Sequence, residues 1–159
     1  MARMHAEGLI SGFGKAINME GGLKLDEKNH LILKMDEGPD LHFEYFEDED
    51  ILVLASALPA PSGDKKAAIY ELLLSANFMW QGTGGATLSV NPETKDVIVH
   101  HKLDVKRVQE SEMEELVTGF AKLCEYWQQR MDAPDFPSND DNPGPQSGGP
   151  DDFSSMIRV

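Results

Sequence analysis

The sequence has one cysteine and few basic residues, and both shortages exclude classes of function. A single cysteine among 159 residues cannot form an internal disulfide or a cysteine-rich zinc site, which favours a reducing compartment. Fourteen lysines and arginines against 28 acidic residues give a net charge of −14. Nucleic acids and anionic membranes both require a basic face, so neither is an expected partner.

Long apolar runs are absent as well. No stretch approaches the roughly 18 apolar residues of a membrane span, and the first twenty residues lack the apolar core of a signal peptide. Hydrophobic residues make up 40% of the sequence and charged residues 26%, which is ordinary for a globular protein. A length of 159 residues suits one domain. We therefore expect an acidic, cytoplasmic, single-domain protein.

The composition changes sharply after Met131. Residues 132–159 hold five prolines, three glycines and six aspartates against one arginine. Such a segment buries too little apolar surface to offset the entropy lost on ordering. The sequence therefore predicts a folded domain over residues 1–131 and a disordered acidic tail over residues 132–159. The last apolar residues of that tail are either inert or a short docking motif.

The first 131 residues alternate between helical and strand patterns. Apolar residues recur at three- and four-residue spacing in a first helix, at Leu9, Ile10, Phe13 and Ile17, and again in a last helix. LILKMD, LHFEYF and ILVLASAL predict an antiparallel meander of three strands, and a second helix precedes the strand pair ATLSV and DVIVHHKL. The predicted fold class is α+β, an antiparallel sheet packed by helices in the order helix, three strands, helix, two strands, helix.

The residue types that catalyse reactions or bind metals do not form a recognisable site. His100 and His101 are adjacent in a predicted strand and point to opposite faces, so they cannot share one ion. The glycines of GTGG after Trp80 precede a strand and lack the lysine of a phosphate loop. Cys124 lies on the apolar stripe of the last helix, without a basic neighbour that would activate its thiol. We expect no enzyme, no cofactor and no metal, and hence a protein that binds other proteins.

The stretch from the second helix to the fifth strand resembles a known family. IYELLLSANFMWQGTGGATLSVNPETKDVIVHHKLDV is similar to the signature of class I type III secretion chaperones, the Tir-chaperone-like family. Members show a helix ending in a Leu-Leu-x-x-Asn-Phe type motif, a small-residue turn, a strand, a hairpin with a second strand, and a final helix. The resemblance covers about residues 4–131. Its matching residues are Leu72, Leu73, Asn77, Phe78, Gly85, Leu88 and 97–103.

This resemblance implies a homodimeric chaperone of the bacterial cytoplasm that performs no catalysis. Such a chaperone binds the N-terminal region of a secreted virulence effector, keeps it soluble and partly extended, and delivers it to the export apparatus, whose ATPase is a further implied partner. Two alternatives stay open. One is a non-catalytic dimeric adaptor or regulatory domain of similar fold that binds a folded partner. The other is a small enzyme whose site assembles from scattered histidines and carboxylates.

Two binding surfaces are expected on such a protein. A binder of extended segments needs an exposed strand edge with apolar pockets beside it. We expect Ile10 or Phe13 of the first helix to face the effector, beside a first-strand edge around Ile32 and Lys34. The predicted effector-binding residues are Leu9, Ile10, Phe13, Ile17, Ile32, Lys34, Phe46 and Leu54. The predicted homodimer interface, in the region where the resemblance places the dimer contact, comprises Leu73, Met79, Trp80, Ile98 and Val99.

Overall fold

A computed structural model describes residues 2–19, 21–133 and 157–158. In this part of the chain the α-helices are α1 (Ala2–Ala16), α2 (Lys66–Asn77) and α3 (Met113–Asp132). The strands are β1 (His30–Met35), β2 (Leu41–Phe46), β3 (Ile51–Leu58), β4 (Thr87–Val90), β5 (Val97–Asp104) and β6 (Ile157–Arg158). The predicted α+β class and the predicted order, helix, three strands, helix, two strands, helix, are confirmed over residues 2–132. Short 3₁₀ helices adjoin α2 and α3, at Gly63–Lys65, Phe78–Trp80 and Glu110–Glu112.

The strands form one antiparallel sheet in the order β4-β5-β3-β2-β1-β6. Successive side chains of a strand point to opposite faces, and β2 follows this period closely. Leu41, Phe43 and Tyr45 are buried on the inner face, whereas Glu44 and Phe46 are exposed on the outer face. The register places Phe43 opposite Leu31 of β1 and, on its other side, opposite Leu54 of β3.

The helices contribute to a core on the inner face of the sheet. The rings of Phe13 in α1 and Phe43 in β2 pack with their centroids 6.1 Å apart. On its other flank α1 contacts the start of α3, since a Cβ on Gly12 would lie 2.1 Å from the side chain of Glu110. A larger residue at this position would require the Glu110 side chain to move. The first helix is therefore covered on two sides, by the sheet and by the residues that begin α3.

A buried polar contact ties the β2–β3 turn to the segment after β5. The Tyr45 hydroxyl donates a hydrogen bond of 2.9 Å to Asp50 Oδ1, and Lys106 Nζ lies 3.1 Å from Asp50 Oδ2. The hydrogen bonds from Tyr45 and then Lys106 hold the pKa of Asp50 below its usual range. Burial raises the pKa of Tyr45 to about 12. The contact fixes the ends of three neighbouring strands.

The end of the chain is paired with the sheet, whereas the sequence predicted a disordered tail there. Ile157–Arg158, which the composition placed in a disordered segment, form β6 and pair with β1, with Arg158 opposite Lys34 and Ile157 opposite Met35. Residues 134–156 and residue 159 of that predicted tail lie outside the described residues. The last helix ends at Asp132, one residue beyond the predicted boundary.

Candidate binding surfaces

The first surface is the outer edge of β1. Backbone N–H and C=O groups alternate in direction along a strand. The Asn29 carbonyl accepts a hydrogen bond of 2.9 Å from Tyr45 N of β2, so the alternate residues His30, Ile32 and Lys34 direct their backbone groups away from β2. These three residues therefore form the edge at which a further strand can pair.

Two short segments of the chain already contact this edge. Asp26 acts as a partner of His30: its backbone N–H donates to the His30 carbonyl at 2.8 Å, and its Oδ1 accepts from His30 N at 2.9 Å. The second segment is β6, which lies opposite Lys34 and Met35. Ile32 lies between the two contacts. Among the described residues, none is paired with the backbone of Ile32 on this outer side.

The outer face beside this edge mixes apolar and polar side chains. Ile32 is 41% exposed and Phe46 is 40% exposed. Between them His30 Nε2 lies 3.2 Å from His42 Nδ1, and the two rings stack with centroids 5.3 Å apart. Burial, and then the nearby charge of His30, lowers the pKa of His42. An extended segment on this edge would therefore meet two separate apolar groups with a histidine pair between them.

The structure divides the predicted effector-binding residues into two groups. Ile32, Lys34 and Phe46 are exposed on the outer side of β1 and β2. The expectation that Ile10 or Phe13 faces solvent is wrong, because both side chains are fully buried between the sheet and the start of α3. The other predicted residues with core positions are Leu9, Ile17 and Leu54.

The opposite edge of the sheet is β4, and a side chain covers part of it. Asn77, the last residue of α2, donates from Nδ2 to the Leu88 carbonyl at 2.9 Å and accepts from Leu88 N at 3.0 Å. The amide therefore satisfies both backbone groups of Leu88, as a neighbouring strand would. This contact gives a physical reason for an asparagine at the end of this helix. Contacts within the chain therefore cover part of each edge of the sheet.

On both sides of Asn77 the chain presents large apolar side chains to solvent. Leu74 is 71% exposed, Phe78 68%, Met79 66% and Trp80 59%. Met79 and Trp80 have φ angles of 52° and 54°, in the left-handed region that non-glycine residues rarely adopt. The Gly82 N–H donates to the Ala76 carbonyl at 3.1 Å and helps to hold this tight turn. We call these four exposed residues, Leu74 and 78–80, the apolar platform.

A groove of about 560 Å³ lies beside the apolar platform, between the end of α2 and the end of α3. Phe78 and Leu74 line it from one side, and Tyr126, Trp127 and Arg130 line it from α3. Contiguous exposed apolar patches on globular proteins commonly mark contacts with other proteins. The platform and groove therefore form a second candidate surface, at the opposite end of the sheet from β1.

The predicted dimer residues are also divided. Met79 and Trp80 belong to the apolar platform, and Ile98 is half-buried on the outer face of β5. Leu73 and Val99 are core residues, 4% and 0% exposed, and have no surface to offer a second chain. Sequence reasoning missed Leu74, although its place one residue after Leu73 on an amphipathic helix could have indicated the opposite face.

The described side chains that could act as a nucleophile or bind a metal do not form a reactive site. Burial raises the pKa of the Cys124 thiol to about 12, so that it stays protonated. Within residues 2–19, 21–133 and 157–158, no three His, Cys, Asp or Glu side chains group closely enough to hold a metal ion. No helix in those ranges is both long and apolar enough to cross a membrane. The surfaces for strand pairing and apolar contact are therefore the candidate functional features.

Several solved structures with the same fold are complexes of two proteins. One, titled as the complex of ExsC with ExsE, has a TM-score of 0.71 at 18% identity and covers 84% of this chain and 98% of that one. The HopA1–SchA chaperone–effector complex gives a TM-score of 0.67 at 12% identity, covering 81% and 97%. The type III secretion chaperone SycH of Yersinia pestis, bound to a fragment of YscM2, gives 0.56 at 13% identity, covering 73% and 93%. These similarities establish the fold.

The family is established by the sequence. No curated protein matches the chain. The model of the Tir chaperone protein (CesT) family matches residues 8–128, from the first helix almost to the end of α3. This range contains β1, the Asn77 contact and the apolar platform. The chain therefore belongs to the Tir chaperone protein (CesT) family.

Proposed function

We propose that this protein is a type III secretion chaperone of the bacterial cytoplasm. It binds the N-terminal region of a secreted effector in a partly extended form and keeps it soluble until export. The observation that carries the proposal is the family match over residues 8–128. The proposal includes delivery of the effector to the ATPase of the export apparatus, and it requires no catalysis, cofactor or metal.

The outer edge of β1 is the proposed site for the effector backbone. A protein segment without a compact fold needs hydrogen-bond partners for its backbone, and an added strand obtains them from a sheet edge. The backbone groups of Ile32 point outward between the contacts with Asp26 and β6, which supports this assignment. Alternate effector side chains then contact Ile32 and Phe46 on the outer face. The net charge of −14 keeps such an apolar surface soluble.

The apolar platform is the proposed homodimer contact. Its four exposed side chains leave a large apolar area in water, and interfaces of obligate dimers are more apolar than ordinary surfaces. Because β4 and β1 lie at opposite edges of the sheet, a second copy at the platform leaves the β1 edge accessible. The proposal therefore uses different residues for self-association and for effector binding.

Co-purification from the native cytosol tests the function. We expect the tagged chain to retain one secreted protein whose N-terminal segment is protected from protease only while bound, and we expect its export to fail without the chaperone. Recovery of a folded partner that resists protease by itself would favour the adaptor alternative. Normal export of the bound protein in a strain that lacks this chain would contradict the chaperone function.

Two aspartate variants separate the surfaces. Ile32→Asp should weaken effector binding by about 2 kcal/mol or more, as loss of an interface anchor does, with little effect on stability because the side chain is already 41% exposed. Trp80→Asp should reduce the particle mass measured by light scattering to the 17.6 kDa of one chain. Each variant serves as the control for the other. Dimer loss in Ile32→Asp, or unchanged mass in Trp80→Asp, would contradict the assignment of the two surfaces.

A further inference from the structure

The end of the chain lies on the edge that the proposed function assigns to a partner. Arg158 pairs with Lys34 and Ile157 pairs with Met35, in the antiparallel register of an added strand. Lys34 is one of the residues whose backbone groups point away from β2. The residue pair Lys34–Arg158 is therefore the position at which hydrogen bonds join β6 to the sheet, whereas Ile157 directs its N–H away from β1.

The pairing of β6 is short compared with that of the other strands. It consists of two residue pairs, whereas β1 and β2 share four and β3 and β5 share eight. A two-residue ladder gains few hydrogen bonds against the entropy of ordering the chain end, so it is readily displaced. Residues 134–156 connect α3 to β6, and 24 peptide steps span at most about 80 Å, which is ample for a domain of this size.

We infer that Ile157–Arg158 are a built-in, displaceable strand that occupies the β1 edge until another extended segment replaces it. Covalent connection to the domain gives this weak strand a high effective concentration at the edge. The strand satisfies the outward backbone groups of Lys34 and lowers the affinity for other strands, so that only a segment with more contacts displaces it. The inference rests on the proposed function for the identity of that partner, a secreted effector.

The fraction of molecules in which β6 occupies the β1 edge determines how much the affinity for another strand falls. If β6 occupies the edge in about three-quarters of the molecules, only a quarter can accept another strand, and the apparent affinity for that strand falls about fourfold. Deleting residues 157–159 makes every edge available. The core residues that the structure describes lie between Ala6 and Trp127, outside the deleted segment, so we expect the urea midpoint of the domain to stay the same.

The probe is a labelled nonapeptide with the sequence of residues 151–159, DDFSSMIRV. It should bind the chain that ends at Met156, with amide shifts at Ile32 and Lys34, and bind the full chain about fourfold or more weakly. A peptide N-methylated at Arg158 should lose binding because it lacks the N–H opposite Lys34. The same peptide N-methylated at Ile157 is the matched control and should bind, because that N–H points away from β1.

The full chain provides the corresponding test in cis. Amide exchange at Lys34 should be faster in Arg158→Pro than in the unmodified chain, and unchanged in Arg158→Ala, which keeps the backbone donor. Equal peptide binding by the full and shortened chains, or shifts outside β1, would overturn the inference. Protection of Lys34 that grows with protein concentration would also overturn it, because the strand would then come from a second copy.

The peptide and exchange measurements contain no effector. They can therefore contradict the displaceable strand without contradicting the chaperone function. Absence of an exported partner contradicts the proposed function and leaves the peptide result to decide the inference. An isolated effector that binds the full and shortened chains equally overturns the inference and leaves the chaperone function intact.

Discussion

The double hydrogen bond between Asn77 and Leu88 should contribute measurably to stability. Asn77→Ala removes both bonds, of 2.9 and 3.0 Å, and leaves the Leu88 backbone in a partly buried site with neither partner. Each neutral hydrogen bond contributes about 1 kcal/mol net, so we expect a loss of about 2 kcal/mol in the free energy of unfolding. For a domain of this size that loss lowers the melting temperature by roughly 8 °C.

The assay is urea denaturation at one fixed protein concentration, because self-association makes apparent stability depend on concentration. Ser75→Ala is the control, since Ser75 is an exposed residue of the same helix. Asn77→Asp should also destabilise the domain, because a carboxylate still accepts from Leu88 N but repels the Leu88 carbonyl. A free energy for Asn77→Ala within about 0.5 kcal/mol of the unmodified chain would refute the reasoning, since that is the range of neutral surface changes.

Three further predictions concern buried or partly buried side chains. The pKa of His42 is lowered from 6.5 by burial and by His30, so below about pH 6.5 the unfolded chain binds more protons and stability falls as the pH falls. His42→Gln should reduce the difference between urea midpoints at about pH 7.5 and pH 5.5, and an unchanged difference would contradict this. Tyr45→Phe removes a donor from the buried carboxylate of Asp50 and should cost about 1–3 kcal/mol by urea denaturation, and an unchanged midpoint would contradict this. Cys124 should react with a thiol reagent at pH 8 only in denaturant, and rapid labelling of the folded chain would contradict its burial.

Local periodicity predicted the elements because each element has its own spacing of apolar residues. Alternation along β1 and β2 accounts for the exposed positions of Ile32 and Phe46, since one residue step reverses the side of a strand. Strand β3 is apolar on both faces, and its sequence therefore gave no basis for assigning Leu54 to the core. The register with Phe43 resolves that question.

The spacing of apolar residues in α1 could not predict that both of its flanks are buried. Periodicity shows which residues of α1 are apolar, but not whether a second element covers the other flank. That element begins near Glu110, far along the chain, and it lies against α1 at Gly12. Ile10 and Phe13 of this doubly covered helix are fully buried. The pairing of β6 with β1 is a long-range contact of the same kind, and two residues carry no recognisable strand pattern.

The apolar platform shows that local backbone geometry was also not predictable from the sequence. Met79 and Trp80 were predicted to lie in the homodimer interface, and both are exposed in the structure. Both residues have positive φ angles, in a turn that the hydrogen bond from Gly82 to Ala76 helps to hold. Residues other than glycine rarely adopt such angles, so nothing in the sequence indicated them.

We propose above that an extended effector segment adds a strand at β1. Amide hydrogen exchange of the purified chaperone–effector complex tests this strand addition directly. The account predicts slower exchange at Ile32 and Lys34 in the complex than in the chain that lacks residues 157–159, with unchanged exchange at Leu88, whose amide already bonds to Asn77. Equal exchange at Ile32 and Lys34 in the free and bound chains, with the effector shown to be bound, would contradict it.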